Sequence, residues 1–118
     1  MAYTVVFYES EDCDKPVEKF LDSLNKTQKG KAIRLIEMLE SLGHNTPFPY
    51  SSQIQGKLRE LRTQLEKEKI RLLYYAASDR AYVILYGFIK RTSKAPEDAV
   101  KLAINRMRDY EDKLRRTK

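Results

Sequence analysis

Apolar and polar positions change their spacing several times along this chain. Residues 3–8 are mostly β-branched or aromatic and contain no breaker, which is typical of a strand. From residue 16 to residue 43, apolar side chains recur every three or four positions, which predicts two amphipathic helices. Three strand-like runs follow after residue 57, and the last of them, residues 81–89, is almost continuously apolar. The pattern therefore predicts the order β-α-α-β-β-β-α.

Local signals place the ends of the predicted helices. Pro16 suits the first turn of the first helix, and Asn25 with Gln28 forms a capping pair before the second. Gly43 supplies the left-handed residue that ends the second helix. Pro96 opens a last helix, whose apolar positions form a narrow stripe. This stripe, which predicts packing against this chain or another, consists of Val100, Ala103, Met107, Tyr110 and Leu114.

The remaining segments predict how the strands are connected. Residues 44–56 contain two prolines, two serines and a glycine, so we expect an irregular connection there. The polar segments 66–68 and 78–80 are short enough for antiparallel hairpins. We therefore predict an α+β fold in one domain, residues 1–118. The helical hairpin would cover one face of a small, mostly antiparallel sheet and leave much of the other face for function.

Charge is unevenly distributed along the 118 residues. The net charge is +6, but residues 1–56 hold 6 Lys and Arg against 8 Asp and Glu, whereas residues 57–118 hold 17 against 9. A basic half of this kind indicates a polyanion-binding face. No apolar run is long enough for a membrane span, and the single cysteine, Cys13, cannot form an intramolecular disulfide. We therefore expect a cytoplasmic protein without a membrane partner.

The sequence lacks the residues and motifs that several classes of enzyme chemistry require. One histidine, His44, and one cysteine do not make a zinc site of the Cys/His kind, and His44 alone cannot form a histidine acid–base pair. No P-loop, GxGxxG or GxSxG motif is present. An enzyme with this sequence is therefore predicted to work without a metal, a nucleotide cofactor or another small-molecule cofactor.

Arginine, lysine and tyrosine on the predicted strands remain as candidates. Arg62 and Arg71 lie on two adjacent strands, and Lys90 follows a third, so their charges can converge on a phosphate. Tyrosines of these strands can stack on unpaired bases, although core packing is the commoner role for them. Arg59 and Arg62 can instead pair with glutamates of the hairpin, namely Glu60, Glu66 and Glu68. The cations expected to bind RNA beside the site are Lys57, Arg59, Arg91 and Lys94.

Three segments of the basic half resemble one known superfamily. They are Glu60-Leu61-Arg62, residues 70–75 with the sequence IRLLYY, and residues 87–96 with the sequence GFIKRTSKAP. This pattern is similar to the RelE/HigB superfamily of bacterial and phage toxins, and most similar to its phage-derived HigB-like branch. The resemblance covers about residues 1–112. Ala95 departs from it, because a capping threonine is common at that position.

The resemblance implies a RelE-like fold and the toxin of a type II toxin–antitoxin pair. Such toxins cleave mRNA in the ribosomal A site and are inhibited by a helix-turn-helix antitoxin. Arg62 and Arg71 match the basic strand positions, and Lys90 matches the basic position after the last strand. Arg62 and Arg71 would stabilise the phosphorane while the RNA 2′-OH attacks the adjacent phosphate. Lys90 or Tyr86 would exchange protons, with Glu60 as a further candidate.

Other functions are compatible with the same residues. A non-catalytic module that binds RNA or the ribosome fits the charge distribution equally well. A ParE-like toxin that inhibits DNA gyrase would share the fold, but it is expected to lack the convergent cations Arg62 and Arg71. A DNA-binding repressor is disfavoured, because the sequence shows no helix-turn-helix pattern.

Overall fold

The computed structural model describes residues 3–63, 69–90 and 97–117, with Lys90 described by its backbone alone. Within these ranges no helix is both long and apolar enough to cross a membrane. The elements in chain order are β1 (Val5–Phe7), α1 (Pro16–Ser23), α2 (Lys26–Leu42), a 3₁₀ helix (Gly43–Asn45), β2 (Ser51–Gln55), β3 (Leu58–Arg62), β4 (Lys69–Ala76), β5 (Tyr82–Lys90) and α3 (Glu97–Arg116).

The strands form one sheet in the order β1-β5-β4-β3-β2. β1 runs parallel to β5, and the other neighbours pair antiparallel. The α+β class and the mostly antiparallel sheet are therefore confirmed. The predicted turn at residues 78–80 does connect β4 to β5, whereas the predicted turn at residues 66–68 lies outside the described residues.

The connection predicted for residues 44–56 is wrong, because it contains the strand β2. This strand lies at the edge of the sheet and pairs with β3, so that Ser51 lies opposite Leu61 and Gln53 opposite Arg59. Ile54 is its only apolar residue, and the segment therefore shows no apolar–polar alternation. Backbone hydrogen bonds to β3 are what define this strand, and such pairing leaves no trace in a hydrophobic pattern.

The chain packs two apolar clusters, one on each face of the sheet. The helical hairpin α1–α2 covers one face, as predicted, and contacts the strands through residues such as Leu61, Leu72 and Ile84. Helix α3 packs through Ala99 and Ala103 on the other face. The stripe of α3 thus packs within this chain. The expectation that much of this second face is left for function is corrected in part, because α3 covers the region around Ala99 and Ala103.

The predicted capping pair at the start of α2 is confirmed, and the helix ends at the predicted glycine. The backbone N–H of Gln28 donates to the Asn25 side chain at 2.8 Å, and the backbone N–H of Asn25 donates to the Gln28 side chain at 3.1 Å. At the other end Gly43 is the C-cap residue. Its φ of +54° favours glycine, but its ψ of −126° differs from the αL conformation that was predicted. Reciprocal capping fixes where α2 begins, and this helix then leads the chain to β2.

Tyrosine–carboxylate hydrogen bonds fasten α3 to the sheet. The Tyr8 hydroxyl donates to Asp109 at 2.6 Å, and the Tyr75 hydroxyl donates to Glu111 at 2.7 Å. Burial and the Asp109 carboxylate raise the pKa of Tyr8 to about 12, and burial followed by the Glu111 bond raises the pKa of Tyr75. Both hydroxyls therefore remain donors at neutral pH, so α3 is held in a fixed position beside the strands.

Gly87 lies where a helix approaches β5 closely, and its replacement by alanine is expected to be destabilising. A Cβ at this position would lie 2.3 Å from a ring carbon of Phe20 and 3.1 Å from a methyl carbon of Leu72. We expect Gly87→Ala to lower the free energy of unfolding by about 1–3 kcal/mol, because the half-buried ring of Phe20, which packs against the core, must move. Urea denaturation followed by circular dichroism measures this change.

Gly30→Ala is the matched control for this substitution. Gly30 lies inside α2, and a Cβ there would meet no atom within 4 Å. Alanine at this position is expected to raise the stability by about 1 kcal/mol through helix propensity. Equal effects of the two substitutions would show that the close approach of Phe20 does not constrain residue 87.

Candidate functional site

The charged ends of three strands meet at one end of the sheet. β3 ends at Arg62, which lies directly opposite Arg71 on β4, and Arg71 in turn lies opposite Phe88 on β5. Lys69 is likewise paired with Lys90 across β4 and β5. Directly opposed residues point to the same face of a sheet, so Arg62, Arg71 and Lys69 bring positive charge to the face that also carries α3.

A buried ion pair lies at the centre of this end. Nη1 of Arg71 donates to Oε1 of Glu60 at 2.6 Å, and each side chain is only 3% exposed. The other carboxylate oxygen of Glu60 and Nε of Arg71 have no hydrogen-bond partner among the described residues. A cation inside an apolar strand requires a counter-charge, and Glu60 supplies it. Arg71 is therefore a buried, paired residue here and not an open phosphate ligand.

Arg62 connects this ion pair to the surface. Its Nη1 lies 3.5 Å from Oε1 of Glu60, and its side chain is 22% exposed. Its Nε donates to the backbone carbonyl of Pro49 at 2.7 Å. Its guanidinium carbon lies 5.3 Å from the centre of the Phe48 ring, which is 75% exposed. We refer to Glu60, Arg62 and Arg71 as the Glu60 cluster, of which Arg62 is the accessible member.

Tyr86 lies on the same face, across β4 from Glu60. Its ring stacks on Phe88 at 5.7 Å between centroids and at an interplanar angle of 29°. The Arg106 guanidinium lies 5.5 Å from the centre of the same ring. Tyr86 is half-buried, whereas the other strand tyrosines considered as base-stacking residues, Tyr74, Tyr75 and Tyr82, are core residues.

The remaining predicted cations do not all join the Glu60 cluster. Arg59 points to the opposite face of β3, where it contacts Ser51 and Tyr74, and Lys57 lies in the turn before β3, at the far end from Arg62. Lys57 and Arg59 therefore do not lie beside the Glu60 cluster, where they were expected to bind RNA. Arg91 and Lys94 lie outside the described residues, as does the side chain of Lys90.

Two residues near the cluster were missed by the sequence analysis. Phe48 lies between two prolines in a segment without periodicity, so nothing in the sequence indicates that its ring is exposed beside Arg62. Arg106 donates to the backbone carbonyl of Leu85 at 2.8 Å and lies over the ring of Tyr86. Its helical spacing from Ala99 and Ala103 on the buried side of α3 is a signal that could have placed it against the sheet.

Comparison with known proteins places these residues in a wider group. A family model described as phage derived protein Gp49-like (DUF891) matches residues 19–108, a range that includes the whole Glu60 cluster. No curated protein matches this chain in sequence. Among solved structures, the archaeal RelE–RelB complex from Pyrococcus horikoshii OT3 is similar with a TM-score of 0.48 and 20% sequence identity, over 79% of this chain and 100% of that chain.

Proposed function

Because the chain belongs to the phage-derived Gp49-like family, a RelE/HigB-like family of toxins from toxin–antitoxin systems, we propose that it is an endoribonuclease that cleaves mRNA on the ribosome without a metal ion. The observation that carries this proposal is the Glu60 cluster. It presents the accessible guanidinium of Arg62 beside the exposed Phe48 ring and supports it with a buried ion pair. The family membership agrees with the resemblance found in the sequence.

Arg62 and Phe48 together suit an unpaired RNA strand. A guanidinium can donate two parallel hydrogen bonds to a phosphate, and an exposed aromatic ring provides a surface on which a base stacks. The 5.3 Å between the Arg62 guanidinium and the Phe48 ring leaves both groups within reach of one nucleotide. We therefore assign Arg62 to the scissile phosphate and Phe48 to a neighbouring base.

The reaction proposed is attack of a ribose 2′-OH on its adjacent phosphate. It forms a 2′,3′-cyclic phosphate, breaks the bond to the 5′ oxygen and releases a 5′-OH. One proton leaves the 2′-OH and another reaches the departing 5′ oxygen, whereas Arg62 stabilises the charge on the phosphorane. Arginine stays protonated, so the protons must be exchanged by other groups. Our candidates for this proton exchange are Lys90 and Tyr86, both on β5.

Arg71 is assigned a positioning role in this proposal. Its side chain is 3% exposed and is paired with Glu60, so direct contact with RNA is not its role in this conformation. Glu60 in turn lies 3.5 Å from Arg62 and orients that guanidinium toward the surface. The ribosome would then supply the remaining alignment of the mRNA, because orientation of the reacting groups accounts for a large part of many barrier reductions.

The partners proposed follow from the family. We propose a helix-turn-helix antitoxin as the protein partner and mRNA in the ribosomal A site as the substrate, both met in the cytoplasm. Co-expression with the product of a neighbouring reading frame of that type is expected to restore growth to cells that produce this protein. Continued growth arrest with both proteins produced and soluble would contradict this choice of antitoxin.

A non-catalytic module that binds RNA on the ribosome is the second candidate. The burial of Glu60 and Arg71 favours it, because two of the three charged groups at the site are closed to substrate. Such a module would use Arg62 and Phe48 in the same way but would release no product.

Primer extension on an mRNA translated in vitro separates the two candidates. With the endoribonuclease, we expect new 5′ ends within codons that appear only when ribosomes and this protein are both present. The products should end in a 2′,3′-cyclic phosphate. Intact mRNA, with folded and antitoxin-free protein bound to the ribosomes, would refute the endoribonuclease and establish the binding module.

A further inference from the structure

A second site candidate lies on the opposite face of the sheet from the Glu60 cluster. A cavity of about 360 Å³ opens there, beside the turn between β2 and β3. We call it the Arg59 cavity. Its polar and aromatic lining consists of His44, Lys57, Arg59, Tyr74 and Tyr82. The volume lies in the range in which proteins bind small molecules.

Arg59 is held in this cavity by neutral groups. Its Nη2 lies 3.2 Å from the Ser51 hydroxyl, and its Nε lies 3.4 Å from the Tyr74 hydroxyl. Ser51 and Tyr74 share a hydrogen bond of 2.6 Å with each other, and both are buried. Across the described part of the chain, no carboxylate lies within 4 Å of the Arg59 guanidinium. The charge of Arg59 is thus fixed in place and left uncompensated by the described residues.

The other side chains at the Arg59 cavity favour a ligand that carries both a negative charge and an aromatic ring. Lys57 is exposed at the rim and adds a second positive charge. His44 is exposed and makes an edge-to-face contact with Tyr3, with 5.9 Å between the ring centroids. Tyr3 makes the same kind of contact with Tyr82, with 5.8 Å between the ring centroids. Arg59 has no carboxylate beside it among the described residues, whereas Lys57 lies close enough to Glu111 of α3 to interact with it electrostatically. The uncompensated charge of Arg59, with Lys57 at the rim, suits a phosphate, and aromatic side chains suit a nucleobase.

We propose that the Arg59 cavity binds the phosphate of a nucleotide. Arg59 and Lys57 take the phosphate, and the sugar and base lie against His44 and Tyr82. The phosphate can belong to a free mononucleotide, whose phosphate carries up to two negative charges, or to an RNA strand, whose internal phosphodiesters carry one each. Both present phosphate oxygens that a guanidinium can bind. The proposal does not depend on the endoribonuclease proposal, because the cavity lies on the other face of the sheet and binding requires no cleavage.

Isothermal titration calorimetry on the whole chain, without ribosomes, tests this site. The probes are inorganic phosphate, adenosine 5′-monophosphate and a short single-stranded oligoribonucleotide. We expect adenosine 5′-monophosphate to bind and to bind more tightly than inorganic phosphate. Lys57→Gln and Arg59→Gln should each weaken binding by about tenfold, since each removes a charge-assisted hydrogen bond. Arg34→Gln, on the exposed side of α2, should bind like the unchanged protein.

The outcomes distinguish the two sources of the phosphate. Binding of the oligoribonucleotide alone, with the same dependence on Lys57 and Arg59, assigns the cavity to an RNA strand. Absence of binding by all three probes would overturn the proposal. Binding that is equally strong in Lys57→Gln and Arg59→Gln would also overturn it. Lys57 is exposed in a turn, so Lys57→Gln remains informative if Arg59→Gln proves less stable.

Discussion

Replacement of Arg71 by alanine is expected to lower the free energy of unfolding by about 3–5 kcal/mol. The substitution leaves the carboxylate of Glu60, which is 3% exposed, without the guanidinium that lies 2.6 Å away. Arg62 contacts the same carboxylate oxygen at a longer distance, 3.5 Å, and is partly exposed, so it offsets little of this loss. Urea denaturation followed by circular dichroism measures the effect, which is a large share of the stability of a typical domain.

A double variant is the control for this result. Glu60→Leu combined with Arg71→Met removes both charges and keeps similar side-chain volumes, so its stability is expected to be close to that of the unchanged protein. A double variant as unstable as Arg71→Ala would show that packing, not the unpaired carboxylate, determines the effect. The double variant also separates folding from function. If it is stable but does not cleave mRNA, the pair serves to position Arg62.

This expectation changes how the loss of toxicity in an Arg71 variant should be interpreted. From the sequence, Arg71 is a candidate for direct contact with the phosphorane, and a toxicity assay of Arg71→Ala would test that role. In the structure Arg71 is a buried partner of Glu60, so the same variant also loses stability. A variant that lacks Arg71 but keeps the stability of the unchanged protein, such as Glu60→Leu with Arg71→Met, is therefore needed to assign a role in cleavage to residue 71.

Periodicity was sufficient to predict most of the fold. Helix α2 is defined by a capping pair and a repeating apolar face, both local in sequence, and β5 by a long apolar run. The strand β2 has neither signal, because it lies at the edge of the sheet and pairs through its backbone. Elements stabilised by their own side-chain pattern could be predicted, whereas an element stabilised by its neighbour could not.

The candidate site was only partly predictable, for a related reason. Alternation along β3 places Glu60 and Arg62 on one face and Arg59 on the other, since residues three apart in a strand point in opposite directions. The separation of Arg59 from Arg62 was therefore available from the sequence. The pairing of Glu60 with Arg71 depends on the register between β3 and β4, which the sequence pattern does not give. The contact of Phe48 with Arg62 depends on a loop and has no periodic signal.

Replacement of Arg62 by alanine is expected to reduce mRNA cleavage on programmed ribosomes by about 10²–10³-fold, the effect of removing one well-placed donor to a developing negative charge. Arg62→Lys keeps the charge but loses the planar pair of donors, so it should recover only part of the rate. Single-turnover cleavage rates, measured with saturating protein, give these values independently of the affinity for the ribosome.

The stability of Arg62→Ala should change less than that of Arg71→Ala, since the Arg62 side chain is 22% exposed whereas that of Arg71 is 3% exposed. Arg34→Ala, on the exposed side of α2, is the matched control and should leave cleavage unchanged. The free energies of unfolding of Arg62→Ala and Arg71→Ala show whether slow cleavage by Arg62→Ala comes from the lost guanidinium or from lost stability. A folded Arg62→Ala protein that cleaves mRNA at the normal rate would show that Arg62 does not contact the scissile phosphate. The phosphate contact would then have to come from the basic ends of β4 and β5, the other basic strand ends at this site among the described residues.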